Sequence, residues 1–309
     1  MIPPVLRAAA RRAAVLAGAA VLLASPSSGQ EWREYRAARQ GHGVETLRVE
    51  VKYGAGRLAV GGSDSGLLYD VTLHYDAERF EPIRSWNAPG GAGNLVVELN
   101  SVGGHGDGAI NIDLDDLDLD LDLSDLSEIA NSSGRLELAL GHSTPTDLSL
   151  HVGAAKSTLE LGGIPLSSVE MKTGASETHL TFDVPNPVEM THMSLEIGAA
   201  DFEARGLGNA HFERLDFKGG VGTILLDFGG EWRRDAVATL AMGLAKLRIR
   251  IPADLGVRIR RKSFLISFDA PGFEKNDDVW LTPNWDSAEY QLDIDLETAF
   301  GTIRIERIP

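Results

Sequence analysis

LSLHVGAAKSTLEL (residues 148–161) is followed by VEMKTGASETHLTF (169–182), MSLEIGAADFEARG (193–206), LDFKGGVGTILLDF (215–228) and ATLAMGLAKLRIRI (238–251). The five segments align on Gly153, Gly174, Gly198, Gly220 and Gly243, at spacings of 21, 24, 22 and 23 residues. Such a period belongs to architectures in which each repeat is one supersecondary unit stacked on the next. Five, three and one residues before the glycine stand mostly apolar side chains, such as Leu148-Leu150-Val152 and Met193-Leu195-Ile197, with polar residues between them. Four, six and eight residues after it the pattern resumes, as in Ile224-Leu226-Phe228 and Leu247-Ile249-Ile251. Period-two alternation buries one set of side chains and leaves the other in water. Glycine is expected at a turn between two inward-facing strands, where the chain reverses and a positive φ suits a residue without Cβ.

Earlier and later copies extend the series. Val49, Val51 and Tyr53 precede Gly54, with Leu58 and Val60 after it; Leu296 and Phe300 precede Gly301, with Ile303 and Ile305 after it. Two further alternating runs cover 95–99 and 136–140. A unit of about 22 residues cannot bury its apolar face alone, so the units must share one continuous core. The expected fold is therefore all-β, a single-domain β-solenoid or β-helix-like stack of eight or nine rungs, roughly 40 Å long at ~4.8 Å per rung. A β-sandwich of hairpins is the alternative; it shares the alternation without the constant period. The expected organisation is irregular rungs over 30–146, regular repeats over 147–262 and capping strands over 263–309, with Trp32, Tyr35, Trp280 and Trp285 closing the core ends.

Residues 1–29 carry Arg7, Arg11 and Arg12, an apolar run from Ala13 to Ala24, and the small-residue end Ser25-Pro26-Ser27-Ser28-Gly29. This is the layout of a secretory signal peptide, and the run is shorter than the ~20 residues of a membrane span. With no cysteine in its 309 residues, the chain has neither a disulfide nor a lipoprotein attachment site. The expectation is export, cleavage, and a mature chain without a transmembrane span in the periplasm or outside the cell. The net charge is −16, and three units more negative once the leader arginines are gone, which is unfavourable for nucleic acid.

Within this acidic chain two segments invite chemistry. Asp113–Leu123 alternates aspartate and leucine with a register change at Asp115-Asp116, so Asp116, Asp118, Asp120 and Asp122 share one strand face about 7 Å apart. That is too far apart for joint ligation of one Ca²⁺ unless a neighbouring strand adds oxygens, so the row reads as a diffuse cation-attracting strip. Gly103-Gly104-His105-Gly106-Asp107-Gly108 approaches a calcium-binding nonapeptide, but its aspartate is one place early and the motif occurs once. The other segment is basic: Lys246, Arg248, Arg250, Arg258, Arg260, Arg261 and Lys262. Arg248, Arg250, Arg258 and Arg260 read as a surface strip for anionic lipid or cell-wall polymer, or else as partners of acidic neighbouring rungs. No constellation points to catalysis: the eight histidines occupy unrelated repeat positions, and Gly62-Ser63-Asp64-Ser65-Gly66 has aspartate where a nucleophile elbow needs serine. No catalytic residue, cofactor or confident metal site is expected.

Glu31-Trp32-Arg33, LRVEVKYGAGRLAV (47–60), LYDVTLHYDAERFEP (68–82), the Gly153-Ala154-Ala155 and Gly174-Ala175-Ser176 steps, and Ile251-Pro252 with Gly256-Val257 together resemble the toast-rack proteins. These are bacterial envelope proteins akin to adhesin-like proteins and to the extracytoplasmic part of cell-wall-active antibiotic-response proteins. The resemblance spans nearly all of 31–309. It implies a rack-like β stack, display on the envelope, no catalytic activity, and a role in binding or envelope stress with a protein, lipid or glycan partner. It supplies no catalytic residues to carry over, and this chain lacks the transmembrane helices of the antibiotic-response group. A polysaccharide lyase or hydrolase using the Asp116–Asp122 row is the second reading, resting on what β-helix scaffolds can host.

Overall fold

The computed structural model describes residues 31–101 and 134–309. Residues 1–29, the Gly103–Gly108 loop and the Asp116, Asp118, Asp120 and Asp122 row lie outside them. Glu31–Pro309 is one compact unit. Its strands are β1 (Trp32–Gln40), β2 (Thr46–Ser63), β3 (Leu67–Asp76), β4 (Phe80–Asn87), β5 (Ala92–Ser101), β6 (Arg135–Gly141), β7 (Thr146–Glu160), β8 (Leu166–Thr181), β9 (Met190–Arg205), β10 (Phe212–Asp227), β11 (Ala236–Pro252), β12 (Gly256–Asp269), β13 (Glu274–Asn276), β14 (Val279–Leu281) and β15 (Gln291–Ile308). They form one open sheet whose central levels, β2-β7-β8-β9-β10-β11-β15-β12, are all parallel. This is the all-β, solenoid-like stack that the period implies. Leu148 pairs with Val169, Val169 with Met193, Met193 with Leu215 and Leu215 with Ala238, so the strand registers reproduce the glycine spacings.

The glycines are not turns. Gly54, Gly153, Gly174, Gly198, Gly220 and Gly243 each lie inside one continuous strand, and none has a positive φ. What happens there is a bend. Val152 and Ala155, Ile197 and Ala200, and Met242 and Ala245 are all buried, so two consecutive residues, the glycine and its successor, separate inward positions. The alternation thus slips by one and the strand wraps around its own core, as a bulge bends a strand. Because every level carries the same slip at the same place, the ladders on either side stay in register. Glycine is required by proximity: a Cβ on Gly198 would stand 2.5 Å from the carbonyl oxygen of Gly174, on Gly220 2.7 Å from that of Gly198, and on Gly243 2.8 Å from that of Gly220. The contact at Gly153, with the Gly54 carbonyl, is closer still.

The register also corrects the last copy. Met242 pairs with Thr298 and Leu244 with Phe300, so the position equivalent to Gly243 is Ala299, not Gly301. Gly301 belongs two places on, in the column of Gly56 and Gly222, and these three do have positive φ (133°, 129° and 149°).

The order of levels departs from the order of the chain. β15 inserts between β11 and β12, so the final segment is an interior level, whereas β12 with the antiparallel β14 and β13 forms that end. Of the expected cap over 263–309, only the portion up to Leu281 occupies the edge. At the other end, β2 meets β5 along its first half and β6 along its second, so these two strands make one level. Residues 102–133 stand between them in the chain. Beyond it β4 and β3 run antiparallel to β5 and β6, and β1 covers β3. β1 carries Arg33, Glu34, Arg36 and Arg39, charges that blunt an open sheet edge.

The interior is predominantly apolar, with Phe182, Phe212, Phe217 and Phe228 each at most 1% exposed. Loops close the coils on the side away from the bend. There the buried Asn186 donates to the carbonyls of Leu166 (2.9 Å) and Ala210 (3.1 Å) and accepts from the Leu166 amide (3.1 Å), stitching three levels together. Of the expected end-closing aromatics, Trp280 packs on Phe268 at 4.9 Å, and Trp285 stacks under the Arg258 guanidinium at 4.9 Å. Tyr35 packs against the core from β1, but Trp32 is 46% exposed and closes nothing. Trp86, which packs on Tyr69 at 5.4 Å beneath Arg39, does that work at the β4 end.

Candidate functional site

With the inward columns committed to the core, what remains for function is the outer surface: two faces, one before and one after the bend, meeting at an outer corner. Side chains on the faces pair across levels. After the bend, Lys156 reaches Glu177 at 2.7 Å and His179 lies 3.4 Å from Glu203. Before it, Lys218 reaches Glu196 at 2.8 Å, and Lys172 reaches Glu170 at 2.8 Å within its own strand. The lysine partners, first through the hydrogen bond they donate, hold Glu170 and Glu177 below the usual glutamate range. Single exposed pairs of this kind contribute only about 0–1 kcal/mol each. Their repetition fixes the orientation of the outer side chains.

The four arginines of the expected basic strip do not make one strip. Arg248 and Arg250 lie after the bend on β11, and Arg258 and Arg260 before it on β12, so they belong to different faces. All four are paired with neighbouring levels. Arg250 bridges Asp227 at 3.1 Å and Glu306 at 3.9 Å, and Arg248 reaches Glu306 at 3.5 Å. Arg258 pairs with Asp293, while Arg260 contacts both Asp293 (3.0 Å) and Asp295 (2.7 Å). These bonds, led by the one from Asp295, raise the Arg260 pKa further, and Arg260 in turn holds Asp295 below its usual range. Of the two readings of these arginines, the geometry is that of the second: they are cross-level partners of acids.

The corner itself carries a feature that the alternation pattern passes over. The residue after each glycine stands at the apex of the bend, and in register this column reads Ala55, Ala154, Ala175, Ala199, Val221, Leu244 and Phe300, with Ala175 buried and the last three exposed. Small side chains give way to large ones along the stack. Val221, Leu244 and Phe300 are 39, 53 and 50% exposed, adjacent across three levels. Beside them runs an open depression of about 570 Å³ with Met242, Gly243 and Thr298 in its lining and Lys218, Lys262 and Glu297 around it. The signal was present in the sequence: three large apolar residues occupy a column that alternation assigns to solvent.

Among the described residues, no group of three His, Asp or Glu side chains could hold a metal ion. No helix among them is long and apolar enough to cross a membrane.

Comparison of the sequence with curated proteins gives no match. Among solved structures, the chain is similar to a putative cell adhesion protein from Clostridium sporogenes (15% identity, 90% of this chain and 100% of that one, TM-score 0.45). It is also similar to a putative adhesin from Bacteroides fragilis (11%, 90% and 98%, TM-score 0.36) and to a putative lipid binding protein from Parabacteroides distasonis (9%, 90% and 97%, TM-score 0.29). The family model described as the N-terminal domain of toast_rack, DUF2154, matches residues 27–201, more than half of the chain. With the glycine-bent parallel levels described above, that match establishes that the chain belongs to the toast-rack family.

Proposed function

We propose that this protein is an exported, non-enzymatic binding and structural module of the cell envelope, adhesin-like or linked to envelope stress, which presents the outer surface of its stack to a protein, lipid or glycan. The observation that carries the reading is the division of each strand into columns. Inward columns are consumed by the core, while outward columns repeat at every level and are held in place by cross-level ion pairs. A rigid periodic surface of this kind suits an extended partner. The depression beside the corner is open rather than enclosing, unlike the concave pocket in which small substrates are usually held. Residues 1–29 supply the export signal in this reading.

The test is to produce the tagged full chain in a bacterium, fractionate the cells, sequence the mature N-terminus and cross-link the envelope. The expected result is a processed chain in the periplasm or at the envelope with a reproducible cross-linked partner. A chain retained unprocessed in the cytoplasm would overturn the reading. So would depolymerisation of an envelope polysaccharide by the purified protein, which would favour the lyase or hydrolase alternative.

A further inference from the structure

Val221, Leu244 and Phe300 form a short apolar crest on the convex side of the bend, the part of the stack that projects furthest from the core the bend encloses. Basic side chains flank the crest on both faces. Before the bend stand Lys218 and Lys262, with Glu297 between them in the same outward column. After it stands the exposed Lys246, between Thr223 and Thr302, and two residues further on are Arg248 and Arg304, which share Glu306. Lys218 is tied to Glu196. The corner therefore carries five cations around three apolar side chains, and the acids beside them are Glu297, Glu306, Asp269 next to Arg304 on β12, and Glu196 at Lys218.

Five cations against four acids leave the corner slightly positive on a chain whose net charge is −16. Charges further than a Debye length, ~8–10 Å at physiological ionic strength, are largely screened, so an anionic surface touching the crest meets this local balance, with Lys246 and Lys262 beside the crest, and not the charge of the whole chain. We infer that the corner at β10, β11 and β15 is a docking site for an anionic phospholipid surface, with Leu244 and Phe300 entering the headgroup boundary and Lys246 and Lys262 meeting phosphates. This deepens the envelope-binding reading by naming a partner class, and it rests on that reading for its biological setting. The small size of the crest selects this occupant over a second copy of the chain. A stable protein interface buries about 800 Å² on each partner around a well-packed apolar centre, far beyond three half-exposed side chains. A lipid surface needs only a few inserted side chains together with basic residues, each contributing about five-fold in affinity.

The experiment is co-sedimentation of the purified full chain with vesicles of equal parts phosphatidylglycerol and phosphatidylcholine, and with phosphatidylcholine alone. Binding to the anionic vesicles only is expected. Leu244→Ser/Phe300→Ser is expected to weaken it about ten-fold, from the loss of roughly half the transfer free energy of two large side chains. Lys246→Ala/Lys262→Ala is expected to weaken it by more than ten-fold. All four residues project outward, so thermal midpoints should match the parent, and free glycerol phosphate should not compete if the bilayer is what is recognised. Unchanged binding in both double variants overturns the inference, as does equal binding to neutral vesicles. Concentration-dependent dimerisation abolished by Phe300→Ser would assign the crest to a second copy instead. None of these outcomes depends on where the chain resides in the cell, so this inference can fail while the envelope reading stands.

Discussion

Replacing the stacked glycines one at a time by alanine separates proximity from backbone conformation as the reason for glycine at the bend. None of these glycines has a positive φ, so alanine fits the backbone and, through the unfolded chain alone, should stabilise by about 0.4–1 kcal/mol. Opposing this, the new Cβ lands on the carbonyl of the preceding level: closest at Gly153, then 2.5 Å at Gly198, 2.7 Å at Gly220 and 2.8 Å at Gly243. Relieving the contact at Gly153 requires two levels to part locally, and the atoms in the way are backbone. Weakening the two flanking ladder bonds costs about 1 kcal/mol each, and overpacking adds about 1–3 kcal/mol. The net expectation is a loss of about 2–4 kcal/mol for Gly153→Ala, shrinking to about 1 kcal/mol or less for Gly243→Ala. Urea denaturation of the four variants gives the series directly, provided the slope of each transition is unchanged. Gly43→Ala is the control for conformation alone, because Gly43 has φ 73° and open space around its Cβ position; it should cost about 1–2 kcal/mol. A neutral or stabilising Gly153→Ala, or a series ranked in the opposite order, would refute the argument from proximity.

Three further changes probe the interior and the outer ladders. Asn186→Ala removes four hydrogen bonds from a fully buried amide, including those it donates to the Leu166 and Ala210 carbonyls, so a loss of about 2–4 kcal/mol is expected in thermal or urea unfolding. Thr178→Val should be neutral or stabilise by up to about 1–2 kcal/mol, because the Thr178 hydroxyl is fully buried without a hydrogen-bond partner among the described residues; a loss above that size would contradict its placement. Glu177 is held below its ordinary value of 4.5 by Lys156, so their pairing contributes stability above that pH and loses it as the pH falls through the depressed value. The difference in midpoint between the parent and Lys156→Met should therefore narrow on acidification below 4.5. The comparison between the two proteins isolates the pair, since protonating an acidic surface also relieves repulsion. A difference that widens toward acid would be inconsistent with the ladder.

The period of the stack was legible because burial constrains it: the inward columns are predominantly apolar, and a glycine recurs at the bend from β2 through β11, where the backbone passes close to the neighbouring level. The reason for the glycine was not legible, because a requirement for positive φ and a requirement for no Cβ both select the same residue. The backbone dihedrals separate them: Gly56, Gly222 and Gly301 combine positive φ with a crowded Cβ position, whereas Gly153, Gly198, Gly220 and Gly243 are set by proximity alone. The order of levels was hidden for a different reason. Leu292-Ile294-Leu296 on β15 has the same inward chemistry as Ala238-Leu240-Met242 on β11 or Val257-Ile259 on β12, so apolar alternation cannot say which level lies between which. The outward columns can. Asp293 and Asp295 on β15 meet Arg258 and Arg260 on β12, and Glu306 on the other half of β15 meets Arg248 and Arg250 on β11. A strand that offers an acid on each face is thus held between two that are basic on opposite ones, and exchanging β12 with β15 would set Arg258 and Arg260 against β11 without those acids. The basic residues that in sequence look like a free surface strip are the ones whose charge specifies where the last strand goes. The cations left around the corner, Lys246 and Lys262 above all, are not consumed by that sorting, so they, and not the arginines, are the ones that face a partner surface.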